Sequence, residues 1–269
     1  MDEWGWLGGC PMAARKINEP ECVSSLVLRP GCCCLGLSIP RCAMARPFTL
    51  VLETSTPQAS LALAGPLHGV TEREFASDRS HHACLFGPLA ELLESAADGY
   101  LERVLVGSGP GSYSGTRVGI AAAQGVALAR ECPAVALPSI LALPAAVGPD
   151  GCWVIGDARR GGYWIARVAA SRMEEEPQLT DGAQLIAAVA CALECGLAVV
   201  SFEEPARFPL PGSLAAGVAQ EFPSAERLWL AWTLATEATR LMWAAAAPQP
   251  IYLKPPHITP AKRPWPVPS

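Results

Sequence analysis

One short design occurs twice in this chain. Phe48-Thr49-Leu50-Val51-Leu52 is an apolar run that ends on an acid, Glu53. Thr54-Ser55-Thr56-Pro57 turns, and Ala59 to Ala64 returns as a second apolar stretch. Far downstream, Trp153-Val154-Ile155-Gly156 ends on Asp157, residues 158–162 turn, and Tyr163 to Val168 returns. Glu53 and Asp157 are 104 positions apart. Each copy reads as a β-hairpin. A repeated supersecondary unit predicts two related lobes, here residues 44–148 and 149–269.

The residues between and after the hairpins alternate strand and helix signals. Val70 to Phe75 is a third strand. From Ser80 to Ala97 the period becomes helical, with Leu85, Leu89, Leu92, Leu93 and Ala96 on one face and Asp98-Gly99 as the stop. Leu101 to Val106 is a strand, Thr116 to Arg130 a helix rich in Gly and Ala, and Ala134 to Leu137 a short strand. Pro138 and Ser139 are expected to open a further helix. In the second half a helix over 181–195, a buried strand over 197–202, a Pro-rich loop over 203–212 and one amphipathic helix over 231–246 follow. Such alternation predicts an α/β protein with a mixed sheet in each lobe, the layout of the duplicated actin-like and sugar-kinase-like (ASKHA, ribonuclease H-like) folds.

Composition narrows the function classes. With 51% apolar and 17% charged residues the chain can build a core, which a disordered protein cannot. The 25 acids outnumber the 20 basic residues, for a net charge of -5, which argues against a free-standing nucleic-acid-binding module. Membership of an assembly that modifies nucleic acid stays open. No uninterrupted apolar stretch reaches the roughly 18 residues that a membrane-spanning helix needs.

Six of the eleven cysteines fall in the first 42 residues. No CxxC pair with a matching second pair occurs, so a zinc site, including one on Cys32-Cys33-Cys34, has poor support. Residues 1–43 carry no helical or strand period and lack a clean apolar signal segment. The expectation is that the working protein starts near Met44 and that what precedes it is a disordered extension or a mis-assigned start. Scattered thiols suit a reducing, cytoplasmic compartment.

The segment Gly107-Ser108-Gly109-Pro110-Gly111-Ser112-Tyr113-Ser114-Gly115 lies between a buried strand and a helix, where anion-binding loops occur. It is not a Walker A loop, because Thr116-Arg117 stands where Lys and Ser/Thr are required, and it misses GxGxxG by one residue. It is not a nucleophile elbow either, since Tyr113 occupies the position of the serine. Two readings stand: a nucleotide or anion loop using Gly109, Gly111, Ser112, Gly115 and Arg117, or a tight turn that lets helix and strand pack closely. His81 and His82 are adjacent and point apart on a helix, so paired metal ligation is disfavoured. Glu53 and Asp157 either hold a metal–nucleotide between lobes or cap their turns. Gly119, Ala122, Ala123 and Val126 give the second helix a slim face, suited to close packing inside the chain or against a partner.

Together these segments resemble the bacterial TsaB (YeaZ) family. Leu52-Glu53-Thr54-Ser55-Thr56-Pro57-Gln58-Ala59-Ser60 is similar to that family's opening strand and turn. Residues 107–119 resemble its G-P-G-S-[FY]-[TS]-G-x-R-[IV]-G signature, and Asp157-Ala158-Arg159-Arg160 its second hairpin. Pro250-Ile251-Tyr252-Leu253-Lys254-Pro255-Pro256 resembles its carboxyl-terminal P-x-Y-L-R-P stretch, with Lys254 for Arg. The resemblance covers residues 47–260; its usual opening acid is Asp, where this chain has Glu53.

The resemblance implies an actin-like fold and a non-catalytic scaffold in the formation of threonylcarbamoyladenosine beside the tRNA anticodon. It implies a heterodimer with the transferase TsaD, a homodimer in isolation, and recruitment of the ATPase TsaE. tRNA is then met only through the complex. ATP or ADP is expected at the complex interface, with none bound by the chain alone, and no catalytic or metal-binding residue. TsaD carries its metal on an HxxxH motif that this chain lacks. Family pairing through the first two helices makes Leu85, Leu89, Leu92, Gly119, Ala122, Ala123 and Val126 the expected interface, with Glu53 and Asp157 as vestigial acids. The rival readings are an autonomous kinase-like ATPase, a glycoprotease-like metallopeptidase, and a purely structural self-associating protein.

Overall fold

The computed structural model describes residues 46–65, 69–76, 81–97 and 99–254. The expected extension over 1–43, the Pro255-Pro256 pair and the side chains of His81 and His82 lie outside the described residues.

The first half runs β1 (Arg46–Glu53), β2 (Gln58–Gly65), β3 (Gly69–Ala76), α1 (His81–Ser95), β4 (Gly99–Gly107), α2 (Tyr113–Ala129) and β5 (Ala134–Leu137). Its strands form one sheet in the order β3-β2-β1-β4-β5. β1 and β2 are antiparallel, with Glu53 opposite Ser60, while β4 lies parallel to both β1 and β5. The second half runs β6 (Cys152–Asp157), β7 (Tyr163–Ala169), β8 (Arg172–Thr180), α3 (Gly182–Glu194), β9 (Ala198–Ser201), α4 (Gly212–Ala215) and β10 (Val218–Gln220). Its sheet order is β10-β9-β6-β7-β8. Read from the opposite edge, this is the order of the first sheet, with the same two antiparallel and two parallel pairings. The repeat seen in the hairpins therefore extends to whole sheets.

β1 and β4 are apolar at successive positions because both faces of their sheet are covered. Leu50, Leu52, Val104 and Val106 face α1 and α2, meeting Leu85, Leu89, Leu92, Ile120, Ala123 and Ala127. Val51 and Leu105 face the other way, onto Leu228 and Trp232 of α5 (Ala225–Leu234). The C-terminal part of the chain thus returns to seal the first sheet. Each leucine so buried contributes about 1.5–3 kcal/mol. No helix of the described residues is long and apolar enough to cross a membrane.

Three expectations need correction. Helix α2 begins at Tyr113, not Thr116, because Ser112 caps it; its hydroxyl accepts the Gly115 N–H at 3.2 Å. The helix expected after Pro138 is two short 3-10 turns, Ser139–Ala142 and Pro144–Ala146; Pro144 brings no N–H to continue a helix. The single helix expected over 231–246 is two, α5 and α6 (Glu237–Ala245). Thr236 starts the second by accepting the Thr239 N–H, and Arg240 reaches back to donate to the Trp232 and Thr233 carbonyls at 2.8 and 2.6 Å. Those carbonyls end α5 without a helical partner, so the arginine stands in for the next turn.

Two strands escaped the sequence reading. β8 carries Glu174, Glu175, Glu176 and Pro177, a composition that signals exposed loop as readily as edge strand. β10 has three residues, too short for a period.

Candidate functional site

A cleft of ≈ 1120 Å³ opens beside the amino terminus of α2. Its wall on that side is Ser55, Thr56, Gly111, Ser112, Tyr113 and Arg117; opposite lie Asp157, Arg159, Glu203 and Arg207. Ile251, Tyr252 and Lys254 run along it. This last segment bridges the two sides. The Ile251 N–H donates to the Ser108 carbonyl at 2.9 Å, the Tyr252 ring sits 5.9 Å from that of Tyr113, and Lys254 Nζ donates to the Arg159 carbonyl at 2.8 Å.

The glycine loop forms as it does because α2 starts hard against the β1–β2 turn. A β-carbon on Gly111 would fall 2.3 Å from the Ser55 carbonyl oxygen, and one on Gly115 2.2 Å from that of Thr54. Thr54 Oγ1 donates to the Gly115 carbonyl at 2.9 Å, and the Ser112 N–H donates to the Ser55 carbonyl at 2.6 Å. Gly109, at φ +85°, exchanges bonds with Ser139: its N–H donates to Ser139 Oγ at 3.0 Å and its carbonyl accepts the Ser139 N–H at 2.9 Å. Close packing accounts for these small residues. Gly111, Ser112 and Arg117 reach the cleft; Gly115 is buried behind it. The Arg117 guanidinium lies over the Tyr113 ring, 5.0 Å from its centroid, and donates to the Tyr113 hydroxyl.

The two matched acids do not converge. Glu53 is wholly buried beneath the loop and does not line the cleft. Its Oε1 accepts the Ser55 N–H at 2.7 Å, whereas Oε2 has no hydrogen-bond partner among the described residues. Burial pushes its carboxyl above the ordinary range, against the opposing pull of Ser55 and Ser139. Asp157 does line the cleft, but its carboxylate accepts the Arg159 N–H at 2.6 Å and pairs with the Arg159 guanidinium at 3.2 Å. One acid is thus sealed in the interior and the other is engaged by its own turn. A metal–nucleotide held between Glu53 and Asp157 does not fit this arrangement. Among the described residues no three His, Cys, Asp or Glu side chains group as metal ligands.

Sequence reasoning missed Glu203, in the Pro-rich loop. Its Oε2 accepts from the Asp157 N–H and from Ser201 Oγ, both at 3.3 Å. Burial, and then the neighbouring Asp157, raise its carboxyl above the usual range. No spacing or composition signal marks it; only the packing of β9 beside β6 brings it to Asp157. Four cations (Arg117, Arg159, Arg207, Lys254) and three acids (Asp157, Glu203, Glu204) line the cleft. So balanced a set does not focus a strong field on a polyanion.

The expected interface set divides. Leu85, Leu89, Leu92 and Ala123 are buried in the chain's own core, and Gly119 is buried against the Thr54 side chain. These five cannot present a docking surface, because their face of the helix pair is the one that covers the sheet. Ala122 and Val126 are half-buried at its margin. The outward stripe is different: Phe86 and Ala90 on α1, and Ala121, Gly125 and Leu128 on α2. Phe86 is 56% exposed and Leu128 84%.

The fold is a duplicated α/β architecture of two five-stranded sheets with the same strand order. Two solved structures share it: a protein with similarity to the peptidase YeaZ and YeaZ itself, both from Pseudomonas aeruginosa. They are 21% and 20% identical, with TM-scores of 0.55 and 0.52, and each covers 77% of this chain and 100% of its own. Residues 74–200 match the family model for TsaD, tRNA N6-adenosine threonylcarbamoyltransferase. The tRNA threonylcarbamoyladenosine biosynthesis protein TsaB of Haemophilus influenzae is 31% identical over 96 residues. That alignment takes in 35% of this chain and 40% of the relative's length. Over these stretches the chain is similar to TsaB and to the TsaD family model, and it spans about 40% of the length of the curated relative it matches.

Proposed function

We propose that this chain is the non-catalytic scaffold of a tRNA threonylcarbamoyladenosine-forming complex, docked to a TsaD homologue through the outward faces of α1 and α2. The observation that carries the docking mode is the stripe of Phe86, Ala121, Gly125 and Leu128. Its members are small or apolar and turned away from the core. At Gly125 a β-carbon would meet nothing within 4 Å, so the backbone is open to close approach. In isolation the same stripe serves a second copy of the chain. Similarity to TsaB and to the TsaD family model supports the reaction, and lack of HxxxH supports the scaffold role.

A TsaE homologue joins this pair, and tRNA is reached through the assembly. ATP or ADP, where the complex uses it, is held at the interface rather than in the chain's own cleft. The burial of Glu53 and the engagement of Asp157 by Arg159 support that assignment, and oppose the autonomous kinase-like ATPase. The test is co-purification with the cell's TsaD homologue, combined with tRNA nucleoside analysis after depletion of this chain. A stable complex and loss of threonylcarbamoyladenosine are expected. Steady ATP turnover by the purified chain, or unchanged tRNA nucleosides, would overturn the proposal.

A further inference from the structure

Cys191 and Cys195 form a second chemical feature, separate from the cleft and from the α1–α2 stripe. They sit four residues apart at the end of α3, where Cys195 is the C-cap and its N–H donates to the Cys191 carbonyl at 3.0 Å. That bond closes one helical turn, and residues at this spacing lie one above the other on the same face. Both side chains are free thiols and both are exposed. Neither lines the cleft. Cys84 is also exposed, on α1, and gives a single-thiol comparison.

We propose that Cys191 and Cys195 are a two-thiol chelating site for a soft, thiophilic centre such as Cu(I) or a trivalent arsenical. Thiolates are the ligands that soft d10 cations prefer, and two coordinate bonds satisfy Cu(I) or a monosubstituted arsenical. The helical turn holds both sulfurs on one side before the ligand arrives, which lowers the ordering cost of chelation. With an arsenical the step is a condensation without redox change. Two As–S bonds form, both thiol protons leave with the arsenic-bound oxygen as water, and arsenic stays trivalent. With Cu(I), two Cu–S bonds form and the protons pass to solvent.

The reduced full-length chain is treated with phenylarsine oxide or, in a parallel arm, Cu(I), then alkylated and digested with trypsin. The tryptic peptide from Met173 to Arg207 contains Cys191 and Cys195 and no other cysteine, so the amino-terminal thiols do not confuse the readout. The expected result is joint loss of alkylation at Cys191 and Cys195, with Cys84 alkylated as before, and a single arsenic on that peptide. Replacing Cys191→Ser, or separately Cys195→Ser, should restore alkylation of the remaining thiol. The proposal fails if both thiols of the untouched chain alkylate in step with Cys84, or if one thiol stays protected after its neighbour is replaced.

Discussion

Glu53 Oε2 is held against Gly107 so closely that a β-carbon on the glycine would stand 1.9 Å from it. The end of β4 therefore has no room for a side chain, and the carboxyl group is wholly buried. The acid that the sequence pairs with Asp157 serves the base of the loop instead of its open side.

From this follows a pH dependence. The folded-state Glu53 carboxyl is raised above its ordinary value of 4.5, so the folded chain holds its proton more tightly than the unfolded chain. The stabilisation is fully present below that ordinary value and is lost as pH rises through the folded value. Thermal unfolding of Glu53→Gln against the unmodified chain should show a stability gap in favour of the variant that widens as pH increases from about 4.5 toward neutrality. A gap independent of pH would contradict the assignment. Gly107→Ala should cost about 1–3 kcal/mol, read from urea midpoints.

The α2 helix offers paired substitutions with opposite outcomes. Ala123→Arg places a charge among Leu50, Leu85 and Ile120 and should unfold the chain, on the order of 3–5 kcal/mol. Leu128→Glu, on the outward face, should leave stability within about 0.5 kcal/mol and abolish partner capture and self-association. Circular dichroism and analytical ultracentrifugation separate the two. Loss of pairing only in variants that also unfold would remove the outward stripe from the interface.

Arg240→Ala should cost about 1–3 kcal/mol. It removes the donors to the Trp232 and Thr233 carbonyls and the guanidinium that lies 5.5 Å from the Trp232 ring centroid. Arg240→Lys should recover only part of this, because one ammonium does not reproduce the two-pronged geometry. Denaturant midpoints measure both.

Tyr252→Ala should loosen the strand of chain that spans the cleft. The Ile251 amide, bonded to the Ser108 carbonyl, should then exchange its hydrogen faster, while amides of β1 and β4 keep their protection. Equal protection at Ile251 in both proteins would mean that the tyrosine pair does not hold the segment.

Much of the fold is written in local signals. The apolar run from Phe48 to Leu52, the turn after it and the helical spacing of Leu85, Leu89 and Leu92 each depend on neighbours a few residues away, and each appears as expected. Two of the corrected boundaries had local signals too. Ser112 and Thr236 are cap residues, but their effect competed with a glycine-rich loop in one case and an unbroken apolar period in the other.

What the sequence alone determined is the repeat of the hairpins, the order of elements from β1 to β5, and the slimness of α2, since periodicity and turn chemistry act over short distances. Only the tertiary structure decided which side of α2 is core and which is free, because a slim face packs equally well on a sheet or on a partner. It also separated Glu53 from Asp157 and brought Glu203 beside the latter. Those placements arise from sheet pairing between residues dozens of positions apart, and no window along the chain contains that geometry.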